Sequence, residues 1–140
     1  MNKIKVKAEA EIKPTEDPEK VKRAIQNLIL NPKIETAQIG KGAFLIAEAE
    51  GEDGLSKLYT LFRQERIRDA TRKLLFRGLH GKTITFCLNK QVAYVGHISF
   101  CNPFAESPLG PIKIEIKCED PQALIDWLAP SSVARRLGAI

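Results

Sequence analysis

Basic side chains crowd one stretch of the chain, residues 61–78, which reads LFRQERIRDATRKLLFRG. It holds six basic residues against two acidic ones. At about 100° per residue in a helix, one stripe of this stretch consists of Arg63, Arg66, Lys73 and Arg77. The guanidinium fork of arginine suits the paired oxygens of a phosphate. Because two acids cannot neutralise six bases, the stretch predicts a positive surface that could hold a polyanion.

The alternative for the same stretch is an ordinary solvated helix face. Glu65 and Asp69 would then pair with nearby arginines at i,i+3 and i,i+4 spacings. Exposed pairs of this kind contribute only a few tenths of a kcal/mol. Composition and spacing do not decide between the two interpretations.

The apolar residues of the predicted helix, about Leu55 to Arg77, change phase along its length. Its first stripe is Leu55, Leu58 and Phe62, and its second is Ile67, Ala70 and Leu74. Either the helix breaks near Gln64-Glu65, or one long helix packs on different surfaces at its two ends. In the second case a partner subunit could cover part of it.

A second polar cluster, Asn89-Lys90-Gln91, stands between two apolar segments. Such side chains can contact a phosphate together with a base or sugar edge. They also suit a hairpin turn, since Asn and Lys are common there. Both interpretations stay open at this stage.

Other chemistries find little support in the sequence. The segment GLHGKT has Phe76 where a phosphate-binding loop requires its first glycine, and a helix precedes it instead of a strand. Three cysteines with wide gaps form no CxxC pair, so no metal site is predicted. A His97–Cys87 pair would be needed for a small thiol enzyme. We expect no catalytic residues and no cofactor.

Composition is that of one soluble domain. The chain has 140 residues, is 44% hydrophobic and carries a net charge of +5. That balance permits a nucleic-acid partner without requiring one. The first residues, MNKIKVKAEAEIK, alternate and lack the apolar core of a signal peptide, and no apolar run is long enough to span a membrane. We therefore expect a cytoplasmic protein with no membrane contact.

The elements that would position these residues follow from periodicity and turn signals. NKIKVKAEAEI and IKIEIK alternate as half-buried strands, and KTITFCL and QVAYVGHISF are also predicted strands, the latter central because it is apolar on both faces. Asp17-Pro18 and Asp120-Pro121 predict helix starts, and residues 33–50 a hairpin. The predicted order is β-α-β-β-α-β-β-β-α.

This order predicts an α+β single domain over residues 1–130, with a frayed tail at 131–140. Its mainly antiparallel sheet would have helices packed on one face. The other face would carry the Lys and Glu positions of the edge strands.

Several segments together resemble an uncharacterised archaeal protein family described as predicted RNA-binding, with a fold like large-subunit ribosomal protein five. They are RQERIRDATRKLL, TFCLNKQVAYVGHISF, LGPIKIEI and IDWLAP. LNKQ at 88–91 is the most specific of them. The chain departs from the family pattern at Arg68 and Thr71, where the pattern has Leu and Ala. The resemblance implies RNA binding without a defined reaction, and it allows homodimers.

Residues and resemblance together predict a non-enzymatic protein that contacts RNA phosphates through an Arg-rich helix. The RNA would be structured, such as ribosomal or transfer RNA. The alternative is a protein-interaction or structural subunit that uses the same helix as its dimer or partner surface. The predicted RNA-binding residues are Arg63, Gln64, Arg66, Arg72, Lys73, Arg77, Lys82, Asn89, Lys90 and Gln91.

Overall fold

The computed structural model describes residues 3–40, 42–64, 68–101 and 110–131, except for the side chain of Gln64. The strands are Lys5–Ile12 (β1), Lys33–Ile39 (β2), Gly42–Glu50 (β3), Leu79–His80 (β4), Thr83–Asn89 (β5) and Pro111–Lys117 (β6). The helices are Pro18–Gln26 (α1), Ser56–Gln64 (α2), Arg68–Arg77 (α3), Lys90–Tyr94 (α4) and Pro121–Leu128 (α5), and a 3-10 helix at Glu52–Leu55 precedes α2.

The described strands form one antiparallel sheet in the order β2-β3-β1-β6-β5-β4. The two strictly alternating segments, β1 and β6, therefore pair at its centre, with Ala8 opposite Ile114. This confirms the predicted α+β class. It corrects the expectation that these lysine- and glutamate-bearing strands lie at the edges, because β2 and the two-residue β4 occupy those positions.

The helices cover one face of the sheet and form a single core with it. Isoleucines 112, 114 and 116 of β6 are fully buried there, beside small alanines of β1 and β3. The alanines leave room for α1, which buries Val21, Ala24 and Ile25 against them. Each fully buried isoleucine or leucine contributes about 1.5–3 kcal/mol, so this face supplies most of the hydrophobic stabilisation.

Two helices begin as the sequence predicts. Asp17 accepts a hydrogen bond from the backbone N–H of Glu19 at the start of α1, and Asp120 accepts one from Ala123 at the start of α5. A proline follows each cap at the first helical position. Its missing N–H costs nothing there, because the first turn has no intrahelical acceptor for it.

The predicted central strand at residues 91–100 is wrong. Asn89 accepts a hydrogen bond from the N–H of Val92 and starts α4 instead. Gly96, at φ +88°, then turns the chain, and Phe100 makes only an isolated bridge to Leu88. The apolar residues of the segment do not reflect a central strand: Ala93 and Ile98 pack on the core from a short helix and a loop, whereas Tyr94 and Val95 are exposed.

The long predicted helix appears as the 3-10 helix, α2 and α3. Leu55, Leu58 and Phe62 are buried as predicted. In α3, however, the buried residues are Thr71 and Leu75, whereas Ala70 is exposed. The second predicted apolar stripe is therefore displaced by one residue. The predicted break near Gln64-Glu65 concerns residues 65–67, which lie outside the described residues, as does nearly all of the predicted tail at 131–140.

Gly78 holds the end of α3 tightly against β5. Its N–H donates to Leu74, and its carbonyl accepts from the N–H of Thr85. A Cβ placed on Gly78 would lie 1.9 Å from the carbonyl oxygen of Thr85. Because that neighbour is backbone in a paired strand, it cannot move aside cheaply.

We expect Gly78→Ala to lower the free energy of unfolding by about 3 kcal/mol, since the new methyl group forces α3 away from β5. Chemical denaturation would measure the change. Gly81→Ala is the matched control. Gly81 has φ +63° but open space around it, so we expect a loss of only about 1 kcal/mol. Equal losses in the two variants would contradict the close-packing explanation.

Candidate nucleic-acid interface

Arg63, which the sequence predicts to contact phosphate, forms hydrogen bonds with the end of α5. Its Nη2 donates to the carbonyl of Trp127 at 3.0 Å, and its Nη1 donates to the carbonyls of Leu128 and Tyr59 at 3.3 Å. The guanidinium also lies 3.5 Å from the centroid of the Tyr59 ring. If the guanidinium bound a phosphate instead, the α5 carbonyls would lose their hydrogen-bond donor. Each carbonyl left unsatisfied would cost about 1–3 kcal/mol.

Arg72 serves the same end of α5 from the next helix. Its Nη1 lies 2.7 Å from Asp126 Oδ1 and donates to the carbonyl of Ala129 at 3.2 Å. The last carbonyls of a helix have no intrahelical donor, so two arginines supply it here. Two members of the predicted set thus have an intramolecular role in the fold.

Lys73 and Arg77 are exposed on the outer side of α3. Their side chains make no hydrogen bond or ion pair with any residue that the structure describes. Phe76, 37% exposed, lies on the same side at i+3 from Lys73. We call Lys73, Phe76 and Arg77 the α3 strip. It combines two cations that have no partner among the described residues with a partly exposed aromatic ring, which has the Arg72 guanidinium 5.1 Å from its centroid.

Lys82 continues the basic residues beyond α3, in the turn between β4 and β5. It forms an exposed ion pair with Glu119, with 2.7 Å between Nζ and Oε2. The hydrogen bond and charge of Glu119 raise the pKa of Lys82. Because the pair is neutral, Lys82 offers less to a polyanion than Lys73 or Arg77 does.

Asn89 and Lys90 are structural at the start of α4. Asn89 caps the helix, as described above, and the side chain of Lys90 is 4% exposed. Lys90 Nζ lies 2.9 Å from Glu16 Oε1 and also donates to the carbonyl of Glu11. Together they join α4 to the end of β1, and the helix that starts at Asn89 replaces the hairpin turn considered from sequence.

Gln91 is exposed near a groove between α1 and α4. The sequence analysis did not predict this groove. The groove has a volume of about 920 Å³ and is lined by Lys20, Arg23, Asn27 and Tyr94, among others. Gln91, Tyr94 and Lys20 also line an adjoining recess of about 580 Å³. The predicted strand at 91–100 did not indicate this site, because alternation along a strand places Gln91 and Tyr94 on opposite faces. In the structure both residues are exposed on α4.

The open face of the sheet carries charges of both signs. One cross-strand row runs Lys33, Glu48, Lys7, Glu115. From the strand register, the described strands place five lysines (5, 7, 33, 113 and 117) and six glutamates (9, 11, 35, 48, 50 and 115) on this face. These eleven side chains sum to a charge of −1, whereas the whole chain carries +5. A polyanion gains little attraction on the open face.

Comparison with known proteins assigns the family. Residues 5–118 match the sequence model of a family described as RNA binding. The chain belongs to this family. The description indicates RNA as the class of partner and names no reaction, and the predicted likeness to large-subunit ribosomal protein five stays a prediction.

Relatives of this RNA-binding family member extend over nearly its whole length. The UPF0201 protein of Sulfurisphaera tokodaii is 48% identical, covering 91% of this chain and 88% of that protein. UPF0201 protein PAE1632 of Pyrobaculum aerophilum is 41% identical, with 96% and 94% covered. The crystal structure of a UPF0201 protein from Methanococcus jannaschii superposes with a TM-score of 0.81 at 30% identity, covering 91% of this chain and 94% of that one. The archaeal family expected from the sequence is thereby confirmed.

The remaining predicted residues of this family member are Gln64, whose side chain is not described, and Arg66, which lies outside the described residues. Within the described ranges, no cluster of three or more histidine, cysteine or acidic side chains could hold a metal ion. No described helix is long and apolar enough to cross a membrane.

The buried cysteines of the family member lack the properties of a nucleophile. Burial raises the pKa of the Cys87 thiol, and the charge of Lys113 opposes this only in part. Burial likewise raises the pKa of Cys118. A catalytic thiol needs the opposite shift, because the thiolate is the reactive form.

We expect Cys87 and Cys118 to react with a thiol reagent at least about tenfold more slowly in the folded than in the unfolded protein at pH 7, since both burial and a raised pKa reduce accessible thiolate. The rate of their reaction should rise only when the pH exceeds the pKa of an ordinary cysteine thiol, because both pKa values are raised. A Cys101→Ser variant isolates these two thiols for the measurement. Fast modification of the folded variant at pH 7 would revive the thiol-enzyme hypothesis.

We expect the buried Lys90–Glu16 pair to show strong energetic coupling. Lys90→Met alone should cost about 3 kcal/mol of unfolding free energy, because it leaves the Glu16 carboxylate buried without its cation. Adding Glu16→Gln, which keeps the acceptor for the N–H of Lys13, should recover much of that loss. Denaturant titration of both single variants and the double variant measures the coupling. The exposed Lys82–Glu119 pair is the control and should show far less, whereas additive losses at Lys90 and Glu16 would contradict the assignment.

Proposed function

We propose that this protein binds RNA without catalysing a reaction, and that the α3 strip contacts the phosphates. The observation that carries the proposal is the contrast along one basic segment. Arg63 and Arg72 are bound internally, whereas Lys73 and Arg77 are exposed and unpaired among the described residues. Cations without an intramolecular partner can release counterions from RNA at little cost to the fold.

The shape and charge of the molecule support the helical side as the RNA-binding side. The open face is nearly neutral, and Phe44 is the only aromatic residue that its described strands present. Common RNA-binding sheets stack bases on paired aromatic residues, which this face does not offer in its described part. Binding through α3 would be mainly to phosphates and shape, which suits structured RNA such as ribosomal or transfer RNA.

The alternative, a dimer or partner surface on the same helix, has weaker support. The outward side of α3 consists mostly of small or charged residues, all exposed: Asp69, Ala70, Lys73, Phe76 and Arg77. Stable protein interfaces are depleted of lysine and acidic residues at their centre. Leu75 of α3 is buried in the protein's own core, as is the polar Thr71, so Phe76 is the one large apolar side chain that this described helix exposes.

We expect Lys73→Ala/Arg77→Ala to weaken binding to transfer RNA and to duplex RNA and to reduce its salt dependence. The affinity of the wild type for duplex RNA should fall as salt rises from about 50 to about 200 mM. In the double variant, which lacks two phosphate contacts, this fall should be roughly tenfold smaller. Fluorescence anisotropy at several salt concentrations gives both quantities, and light scattering reports the oligomeric state.

Lys113→Ala/Lys117→Ala is the control for this test, because it removes the same charge from the open face. It should leave the salt dependence nearly unchanged. Arg63→Ala should lower stability through the end of α5 instead of changing the salt dependence. If both double variants weaken binding equally, binding depends on net charge alone. If the wild-type protein binds no RNA but dimerises through α3, the alternative function is favoured.

A further inference from the structure

The groove between α1 and α4 presents an exposed aromatic ring beside basic side chains. Tyr94, the last residue of α4, is 37% exposed, and Val95 after it is 65% exposed. The Nζ of Lys20 lies 5.9 Å from the centroid of the Tyr94 ring. Neither residue belongs to the basic segment around α3, so this is a separate surface.

The Tyr94 ring is held on a rigid support. The side-chain amide of Asn27 donates to the carbonyls of Ala93 and Tyr94, at 2.9 and 3.1 Å, and ties the end of α4 to the end of α1. At the other end of α4, Asn89 caps the helix and Lys90 joins it to Glu16. A ligand that stacks on Tyr94 would therefore meet a ring whose backbone is already in place, which reduces the entropy lost on binding.

Tyr94 and Lys20 line both the groove and the adjoining recess, and the two spaces differ in character. The recess is walled by Val21, Ala24 and Val95 as well as by the ring. Of the charged residues that also line it, Glu16 and Lys90 are paired with each other, and Asp17, which borders both spaces, caps α1. The groove is polar, with Arg23, Lys57 and Asn31 along it. A mainly apolar space and a polar space with three basic side chains, Lys20, Arg23 and Lys57, meet at one aromatic ring. They match the two halves of a nucleotide, the base and the phosphate.

The charges around the groove favour an anion at its Arg23 end. Lys20 and Arg23 are exposed on one side of α1, and Lys57 donates to the carbonyl of Gln26 at 2.7 Å. The acidic residues that line the groove are Asp17, which is occupied in capping α1, and Glu19 in its first turn. The acids therefore lie towards the start of α1 and the bases further along it.

We infer that this groove binds a nucleotide of single-stranded RNA. The base stacks on Tyr94 in the recess, where Gln91 can reach its edge, and the phosphate lies against Lys20 and Arg23 in the groove. An unpaired base is required because a base within a duplex is stacked on its neighbours. The inference rests on the proposed RNA-binding function and adds a second, single-strand-specific site to the α3 strip.

The test compares a single-stranded RNA of about ten nucleotides with a duplex of the same length, using Tyr94→Ala and the control Tyr94→Phe. Loss of one stacked base corresponds to roughly 5- to 150-fold in affinity. We expect Tyr94→Ala to weaken single-strand binding by about tenfold or more, and Tyr94→Phe by no more than about twofold. Duplex affinity should stay within about twofold of wild type in both, and thermal unfolding should confirm that the variants are folded.

Different failures separate this inference from the proposed function. If the wild type binds the duplex through Lys73 and Arg77 but Tyr94→Ala leaves single-strand binding unchanged, the groove inference alone is overturned. Equal weakening of both RNAs by Tyr94→Ala would also overturn it, as would a change confined to self-association, which would make Tyr94 and Val95 a protein contact. If the wild type binds neither RNA, both proposals fail.

Discussion

The carbonyl groups at the end of α5 need hydrogen-bond donors, and this need organises one side of the molecule. Two arginines meet it, Arg63 from α2 and Arg72 from α3, with Asp126 bound to the second. A buried carbonyl without a donor would cost more than an exposed arginine gains from solvent or from a transient anion. The guanidinium groups therefore tie α2, α3 and α5 together, and they leave Lys73 and Arg77 as the cations of α3 that face outward.

A second set of polar contacts organises the opposite end of the helical layer. Lys90, Glu16 and Asn27 connect α4 with α1 and with the end of β1. Buried ion pairs of this kind add little net stability compared with apolar packing, but they discriminate strongly against arrangements that leave one charge alone. The position of Tyr94 beside α1 follows from these contacts, and with it the shape of the groove.

The distribution of charge gives the two sides of the protein different roles. On the open face, lysines and glutamates of nearly equal number are mixed across neighbouring strands, which keeps the sheet hydrated while its field nearly cancels. The positive surplus of the chain therefore lies elsewhere. The α3 strip and the α1–α4 groove both combine exposed cations with an aromatic ring, a pairing that serves phosphates and bases of RNA together.

The sequence by itself determined the features that depend on neighbours along the chain. Alternation in residues 5–12 and 111–117 predicted the half-buried strands, and Asp-Pro at 17 and 120 predicted two helix starts. Helical spacing also placed Lys73 and Arg77 together on an exposed side. These are consequences of periods of 2 and 3.6 residues and of local capping, which need no knowledge of the fold.

Tertiary structure alone decided which polar residues remain available for a ligand. Arg63 meets Trp127 across 64 positions, Arg72 meets Ala129 across 57, and Lys90 meets Glu16 across 74. No local pattern reports such partners, so residues of identical type in one segment divide into structural and exposed groups. The same holds for residues 91–100, whose apolar character on both faces fits a central strand or a short helix over a core equally well. The N-cap at Asn89 and the contacts of α4 with α1 select the helix, and with it the groove at Tyr94.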